Sequence, residues 1–116
     1  MAKILAVDDD SGMLGLVIYC LEVAGHVVIP ARDGTDAQRE MGLHPDIELV
    51  VTDCDMPEMN GLELAAWIRQ NHPDKKIVLM SGRNPDHSGI DAFVPKDGKF
   101  SAKLGTVVEK LIRKLA

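Results

Sequence analysis

The sequence predicts an α/β protein with a doubly wound, five-stranded parallel sheet. Short apolar runs rich in Val, Ile and Leu alternate along the chain with segments whose apolar residues recur at helical spacing. The links between them are short, so helical crossovers must join the strands, which places parallel strands together under helices on both faces. The length of 116 residues suits one domain, which we assign to residues 1–116.

The first half of the chain is predicted to contain three strands and two helices. Residues 4–7 are apolar and precede a run of acids, as is typical of a buried parallel strand. Asp10 or Ser11 is expected to cap the first helix. The motif Thr35-x-x-Gln38 resembles a capping box and predicts a second, short helix. The apolar residues of the first helix are Leu14, Val17, Ile18 and Leu21, and the other strands are predicted over residues 27–29 and 47–52.

The second half is predicted to contain two strands and at least two helices. Asn60-x-x-Glu63 is another capping-box pattern, and the helix that it opens must end before Pro73. Strands are predicted over residues 77–80 and 92–94. The inner side of the third helix is expected to hold Leu62, Ala65, Ala66 and Ile68, and that of the last helix Leu104, Val107, Val108, Leu111, Ile112 and Leu115.

Composition and charge exclude several classes of function. A net charge of −5 and 3% aromatic residues disfavour direct binding of nucleic acid, which calls for a basic surface or stacking rings. No apolar stretch approaches the ~20 residues of a membrane span, and no signal-peptide pattern is present, so we expect a cytoplasmic protein with no membrane contact. Charge is nonetheless uneven, because residues 96–116 carry +4 and the first 95 residues carry −9.

Polar and charged residues follow four of the five predicted strands, where ligands bind in parallel sheets. Two like charges 4 Å apart repel by about 4 kcal/mol at an effective dielectric constant near 20, so clustered carboxylates are unfavourable unless a cation neutralises them or their pKa values rise. Oxygen ligands suit Mg²⁺, while a lysine and a hydroxyl can hold phosphoryl oxygens. This pattern indicates phosphoryl chemistry on or beside a carboxylate. The residues concerned are Asp8, Asp9, Asp10, Asp53, Asp55, Ser81 and Lys96.

Four segments, occurring in order, resemble the receiver domains of two-component response regulators, including the chemotaxis regulators. The similarity spans essentially the whole chain and implies a flavodoxin-like receiver fold. The matching segments are Ile4-Leu5-Ala6-Val7-Asp8-Asp9, the run from Leu49 to Gly61 that contains Asp53-Cys54-Asp55-Met56-Pro57, Val78-Leu79-Met80-Ser81-Gly82, and Phe93-Val94-Pro95-Lys96.

The resemblance implies that Asp53 accepts a phosphoryl group from a sensor histidine kinase or a histidine phosphotransfer protein. Asp8 and Asp9, with Asp53 and the backbone carbonyl of Asp55, would hold Mg²⁺ (or Mn²⁺). Ser81 and Lys96 would bind the phosphoryl oxygens. Such a protein is no conventional enzyme, although it catalyses its own phosphorylation and dephosphorylation.

The resemblance also implies a switch that changes partner binding. Phe93 matches the aromatic residue whose rotamer follows Ser81, and Asp55 and Arg83 occupy positions that tune the lifetime of the phosphoryl group. The output partner is not indicated.

Two features depart from the family pattern. Asp97 follows Lys96 where the family usually has a proline joined by a cis bond, and because a non-proline cis bond costs about 2.5–4 kcal/mol we expect a trans bond. Only 14 residues separate Ser81 from Lys96, and they include the breaker-rich segment from Arg83 to Gly89. The fourth helix of the family is therefore predicted to be shortened or absent. Members of the family usually dimerise or signal through the face formed by that helix, the fifth strand and the last helix, so output through this face is less expected here.

Other functions are compatible with parts of the pattern. A degenerate receiver would bind partners without phosphorylation, which the intact acids oppose and Asp97 favours. A small Mg²⁺-dependent phosphohydrolase would use Asp53-Cys54-Asp55 as a DxD motif, although such enzymes place that motif after the first strand. A flavodoxin-like flavin carrier is disfavoured because the chain has few aromatic residues and no hydroxyl-rich phosphate loop.

Overall fold

The structure is a computed structural model that describes residues 1–86 and 88–115. Its elements are β1 (Lys3–Val7), α1 (Ser11–Val23), β2 (Val27–Ala31), α2 (Gly34–Leu43), β3 (Leu49–Asp53), α3 (Gly61–Asn71), β4 (Lys76–Ser81), β5 (Ala92–Pro95) and α4 (Phe100–Leu115).

The five strands form one parallel sheet in the order β2-β1-β3-β4-β5. This confirms the predicted fold class. The chain moves outward from β1 to β2 and then returns to place β3 on the other side of β1, so the topological switch point lies between β1 and β3. Val7 of β1 is in register with Thr52 of β3. The residues that follow these two positions, Asp8 and Asp53, therefore emerge together at the carboxyl edge of the sheet.

Each face of the sheet is covered by a pair of helices. In β1, Ile4 and Ala6 pack on one face with residues of α1 and α4, whereas Leu5 and Val7 pack on the other with residues of α2 and α3. The alternation follows from the two-residue period of a strand. Both faces are apolar because both are buried, which explains why the strand sequences read as continuous hydrophobic runs.

The residues that cap α1 and α3 are the predicted ones, whereas the cap of α2 differs from the prediction. The side chain of Asp10 caps α1 by accepting the N–H of Gly12, and Asn60 and Glu63 form the predicted capping box of α3. The short helix α2 is present as predicted, but the capping box predicted at Thr35 and Gln38 was wrong, because Asp33 is the cap and its carboxylate accepts the N–H of Asp36 at 2.7 Å. Asp33 lies two positions before Thr35 and occupies the cap position, where its side chain accepts the free N–H of Asp36.

The buried stripe of α3 also differs from the prediction. Leu64, Ala65 and Ile68 are buried, whereas Leu62 is half-buried and Ala66 is exposed. The stripe begins at Gly61, which packs against the β3 end, and the helical period then selects positions three, four and seven residues later. In α4 the expected apolar side is confirmed except at Leu115, which is 36% exposed at the end of the helix.

The connection between β4 and β5 contains no helix over its described residues, 82–86 and 88–91. This agrees with the prediction that the fourth helix of the family is shortened or absent. Arg69 of α3 contacts the connection by donating to the carbonyl of Gly89 at 3.1 Å, and it also donates to the carbonyl of Lys75, just before β4, at 2.9 Å. Arg69 also forms an ion pair with Asp91, whose carboxylate accepts the N–H of Ile77 at 2.7 Å.

Candidate functional site

Three carboxylates meet at the carboxyl edge of the sheet. Asp8 follows β1 and is fully buried, Asp53 ends β3 and is 5% exposed, and Asp9 is exposed to solvent. One oxygen of each lies within 4.8 Å of the others. The register between β1 and β3 produces this convergence, as the strand-end pattern in the sequence predicts.

Lys96 lies between the two buried acids. Its Nζ donates to Asp8 Oδ2 at 3.1 Å and contacts Asp53 Oδ1 at 2.8 Å. Burial disfavours the charged form of Lys96, but hydrogen bonds and charge from Asp53 and Asp8 outweigh it, so the pKa of Lys96 is raised. The backbone N–H of Lys96 donates to the carbonyl of Ser81 at 2.8 Å. This bond holds the lysine at the end of β5.

Asp97 follows Lys96 where the family usually has a proline, and Lys96 Nζ nevertheless contacts both Asp8 and Asp53. The peptide bonds of the described residues are all trans, so the Lys96–Asp97 bond is trans as expected. Asp97 instead forms a turn before α4, in which its Oδ1 accepts the N–H of Lys99 at 2.8 Å and its carbonyl accepts the N–H of Phe100 at 3.0 Å. The pKa of Asp97 is lowered first by the hydrogen bond from the Lys99 N–H and then by the side chain of Lys103, which donates to Asp97 Oδ2 at 3.2 Å.

Asp53 lies in an environment that disfavours its charge. Burial raises the pKa of Asp53, the nearby charges of Asp8 and Asp55 act in the same direction, and Lys96 opposes the shift. Asp8 is better satisfied, because its Oδ1 accepts the N–H of Asp10 at 3.0 Å while its Oδ2 binds Lys96. A carboxylate destabilised in this way is relieved by an added cation or by conversion to an ester or anhydride.

Ser81 and Phe93 lie on the same face of the sheet. Ser81 ends β4, is fully buried, and its Oγ accepts the N–H of Arg83 at 3.0 Å. Leu79 is in register with Phe93, and Ser81 is in register with Pro95. Side chains two positions apart along a strand share a face, so Leu79 and Ser81 lie on one face, and Phe93 lies on it beside Leu79. Half-buried Phe93 is therefore on the neighbouring strand, two positions before the register partner of Ser81.

Asp55 and Arg83 form an ion pair across the loops that follow β3 and β4. Arg83 Nε donates to Asp55 Oδ2 at 3.3 Å, and its Nη2 contacts Asp55 Oδ1. Both side chains are exposed. Sequence reasoning selected both residues but missed their pairing. Asp55 and Arg83 have opposite charges and each lies two residues past the end of one of two neighbouring strands, which is the signal that could have indicated their pairing.

Gly61 allows the loop after β3 to close tightly on Asp53. A Cβ at this position would lie 2.2 Å from the carbonyl oxygen of Asp53 and 2.9 Å from Cα of Cys54. The N–H of Gly61 donates to the carbonyl of Cys54 at 2.8 Å. The start of α3 is therefore packed directly on the backbone that carries Asp53, which only a glycine permits.

The donor set of the acidic cluster fits a hard divalent cation. All the nearby ligand atoms of Asp8, Asp9 and Asp53 are carboxylate oxygens, which Mg²⁺ prefers over the nitrogen and sulfur ligands typical of zinc sites. The exposed position of Asp9 leaves one side of the cluster open to water. A cation could therefore bind here with part of its coordination shell free for a phosphoryl oxygen.

Comparison with known proteins identifies the family. The model of the response regulator receiver domain matches residues 4–101, so the chain belongs to this family. It is 34% identical over 103 residues to the response regulator receiver protein CpdR of Brucella abortus (strain 2308), covering 89% of this chain and 85% of that one. It is also 33% identical to the sensor kinase CckA of the same organism, over 97% of this chain but 13% of the kinase.

Solved structures agree with the fold. A receiver domain protein from Clostridium thermocellum superposes with a TM-score of 0.89 at 24% identity, over 98% of this chain and 96% of that one. The response regulator TrrA of Thermotoga maritima, solved in complex with Mg(2+)-BeF, gives a TM-score of 0.82 at 28% identity over the full length of both chains. In the described part of the chain, no helix is long and apolar enough to cross a membrane.

Proposed function

We propose that Asp53 is the phosphoacceptor of a two-component phosphorelay. The observation that carries this assignment is the position of Lys96, whose Nζ contacts Asp53 Oδ1 at 2.8 Å and Asp8 Oδ2 at 3.1 Å. In the transfer, a carboxylate oxygen of Asp53 attacks the phosphorus of a phosphohistidine. An O–P bond forms, the N–P bond breaks, and the imidazole leaves with the electron pair.

Asp8, Asp9 and Asp53, together with the backbone carbonyl of Asp55, would hold Mg²⁺ (or Mn²⁺). Such an ion supplies positive charge to the acidic cluster and to the incoming phosphoryl oxygens. Lys96 Nζ contacts the Oδ1 atom of Asp53, so it would also lie close enough to stabilise the incoming phosphoryl oxygens in the transition state. Asp8 orients Lys96, and the N–H of Asp10 fixes Asp8 in turn.

Ser81 and Phe93 would carry the switch that follows phosphorylation. The hydroxyl of Ser81 would leave the N–H of Arg83 and donate to a phosphoryl oxygen, and Phe93 would move into the space beside it. Their position on one face of the sheet, one strand apart, supports this coupling. Asp55 and Arg83 would tune the lifetime of the phosphoryl group, since their ion pair joins the two loops that follow Asp53 and Ser81.

The expected partners follow from the chemistry of the site. The donor would be a sensor histidine kinase or a histidine phosphotransfer protein in the cytoplasm, with no direct contact to nucleic acid or membrane. Similarity to the receiver domain of the hybrid histidine kinase CckA, at a TM-score of 0.77, supports the fold that such a donor would recognise. The domain would act as its own catalyst for phosphorylation and dephosphorylation.

The test is intact-mass spectrometry after incubation with Mg²⁺ and acetyl phosphate. We expect one added phosphoryl group that is stable in acid and labile in base, that requires the cation, and that is absent from Asp53→Asn. Asp46→Asn, which removes an exposed carboxylate next to Lys3 and far from the cluster, is the matched control and should retain the adduct. Absence of an adduct with any donor would indicate a degenerate receiver, and rapid multiple turnover would indicate a phosphohydrolase.

A further inference from the structure

Thr52 is a polar side chain with apolar neighbours on both adjacent strands. It lies in β3 directly before Asp53, is fully buried, and is in register with Val7 of β1 and Leu79 of β4. Val50, two positions earlier, packs in the core that α2 and α3 cover, and the two-residue period of a strand places Thr52 on the same face. A valine would fill this space equally well, so packing alone does not require the hydroxyl.

The hydroxyl of Thr52 is bonded to the peptide that follows Asp53. Its Oγ1 donates to the backbone carbonyl of Asp53 at 3.0 Å. The N–H of the same peptide, which belongs to Cys54, donates to the carbonyl of Met80 on β4 at 2.8 Å. The Asp53–Cys54 peptide is therefore held at its oxygen by Thr52 and at its nitrogen by the neighbouring strand.

The space around the Asp53 carbonyl is closed on a further side by Gly61. A Cβ at Gly61 would lie 2.2 Å from this oxygen, so the glycine backbone packs directly on it. The peptide is attached to the Cα of Asp53, which also carries the carboxylate whose Oδ1 contacts Lys96 Nζ at 2.8 Å. A rotation of the peptide would therefore displace the carboxylate relative to Lys96. Phosphoryl transfer depends steeply on such alignment, since a misplacement of about 1 Å can slow a reaction about 10²-fold.

We propose that Thr52 is a positioning residue for phosphoryl transfer, whose hydroxyl fixes the Asp53–Cys54 peptide and thereby the direction of the Asp53 carboxylate. The inference rests on the function proposed above, because it concerns the geometry of the reaction at Asp53. Thr52 acts on the carboxylate through the backbone carbonyl and supplies no group to the reacting atoms. Its effect on stability should be small, because replacement by valine removes the hydrogen bond and the cost of burying the hydroxyl together.

Two substitutions separate the hydroxyl from the packing of the side chain. Thr52→Val keeps the shape and removes the hydroxyl, whereas Thr52→Ser keeps the hydroxyl and removes the methyl group. Thr106→Val is the matched control, since Thr106 is exposed on α4 and its Oγ1 donates to the carbonyl of Ala102 at 3.1 Å. Intact-mass time courses with Mg²⁺ and a range of acetyl phosphate concentrations give the maximal rate and the half-saturating concentration, and thermal denaturation gives Tm.

We expect Thr52→Val to lower the maximal rate at least about fivefold, as a displacement of a fraction of an ångström would, with the half-saturating concentration unchanged. Its Tm should stay within about 3 °C of the wild-type value. Thr52→Ser should keep the rate within about twofold although its Tm falls, because a buried methyl group is lost. Amide exchange of the Cys54 N–H should be faster in Thr52→Val than in the wild type and in Thr52→Ser, as expected of a peptide released at its oxygen.

The proposal is overturned if Thr52→Val is phosphorylated at the wild-type rate, if Thr52→Ser is slowed as much as Thr52→Val, or if Thr106→Val is slowed equally. A loss of rate that follows the loss of Tm across the two Thr52 variants would assign the effect to packing and would also overturn it. The wild-type domain separates these outcomes from failure of the function itself. No phosphorylation of the wild type would remove the acceptor role of Asp53 and this inference with it, whereas a phosphorylated wild type with an unaffected Thr52→Val would remove only the role of Thr52.

Discussion

At the scale of single residues, Lys96 supplies the positive charge that allows two acids to be buried side by side. Asp8 and Asp53 both contact its Nζ, within 3.1 Å and 2.8 Å. The same lysine repels any metal ion that approaches these carboxylates, because two positive charges within a few ångströms interact by several kcal/mol at intermediate dielectric. In the proposed mechanism, Lys96 would therefore favour phosphoryl transfer and oppose cation binding.

Replacing Lys96 by Met should separate these two effects. We expect Lys96→Met to bind Mg²⁺ about tenfold more tightly, since a fraction of the Coulomb term is enough for that factor. Phosphorylation by acetyl phosphate should slow by about 10²–10³, as on removal of a donor that stabilises transition-state charge. Calorimetric titration with Mg²⁺ and a time course of intact mass check the two values. Lys99→Met is the control, and unchanged Mg²⁺ affinity in Lys96→Met would contradict this description of the site.

Asp53 should make the metal-free domain less stable than its neutral isostere. Its pKa is raised in the folded state, mainly by burial, so the ionised form carries a cost at all pH values above the folded pKa. Below the unfolded pKa the group is protonated in both states and the cost disappears. Asp53→Asn should therefore raise Tm by a few degrees at pH 7.5 without Mg²⁺, and the gain should shrink in acid and on adding Mg²⁺. A lower Tm for Asp53→Asn at pH 7.5 would contradict this.

At the scale of elements, the loop between β3 and α3 positions Asp53, the proposed acceptor. Gly61 has no space for a Cβ, which would lie 2.2 Å from the Asp53 carbonyl oxygen. Gly61→Ala should destabilise the domain by about 1–3 kcal/mol and slow phosphorylation, because the backbone of Asp53 must move. Gly105 in α4 is the matched control, since a Cβ there meets nothing within 4 Å. Gly105→Ala should stabilise by about 0.5–1 kcal/mol in the same denaturant titration.

The connection between β4 and β5, which contains no helix over the residues that the structure describes, is contacted by Arg69 of α3. This side chain donates to the carbonyls of Gly89 and Lys75 and pairs with partly buried Asp91. Arg69→Ala should cost about 1–3 kcal/mol, because it removes hydrogen bonds made by a charged group and takes the guanidinium away from the partly buried carboxylate of Asp91. Arg39→Ala, which removes an exposed pair with Asp36, should cost less than about 1 kcal/mol. Equal effects in urea titrations would show that Arg69 anchors nothing.

At the scale of the whole molecule, the sequence predicted the structure best where two signals agreed: the spacing of apolar residues, which indicates strands and helices, and the polar residues that follow the strands. Continuous apolar runs separated by amphipathic helices are typical of a parallel sheet with both faces covered. The position of Asp8, Asp53, Ser81 and Lys96 after four different strands then required them to meet at one edge. The short segment between Ser81 and Lys96 correctly predicted that no full helix forms over the described residues 82–86 and 88–91, because its length and its breakers both oppose a helix.

Features that depend on contacts between elements could not be predicted in the same way. Asp33 and Thr35 are both acceptable caps, and only the path of the chain after β2 selects Asp33. The buried stripe of α3 is fixed by the packing of Gly61 on β3, which moved the inner face away from Ala66. The pairing of Asp55 with Arg83 depends on the separation of two loops, which neither residue determines alone.

The identity of the acceptor is tested most directly by mapping the phosphorylated residue. After incubation with Mg²⁺ and acetyl phosphate, reduction with borohydride converts an aspartyl phosphate to homoserine, which peptide sequencing by mass spectrometry locates. We expect homoserine at position 53 alone, and none when Mg²⁺ is removed with a chelator. Homoserine in place of Asp8, Asp9 or Asp55, or its absence from every position under phosphorylating conditions, would contradict the assignment of Asp53.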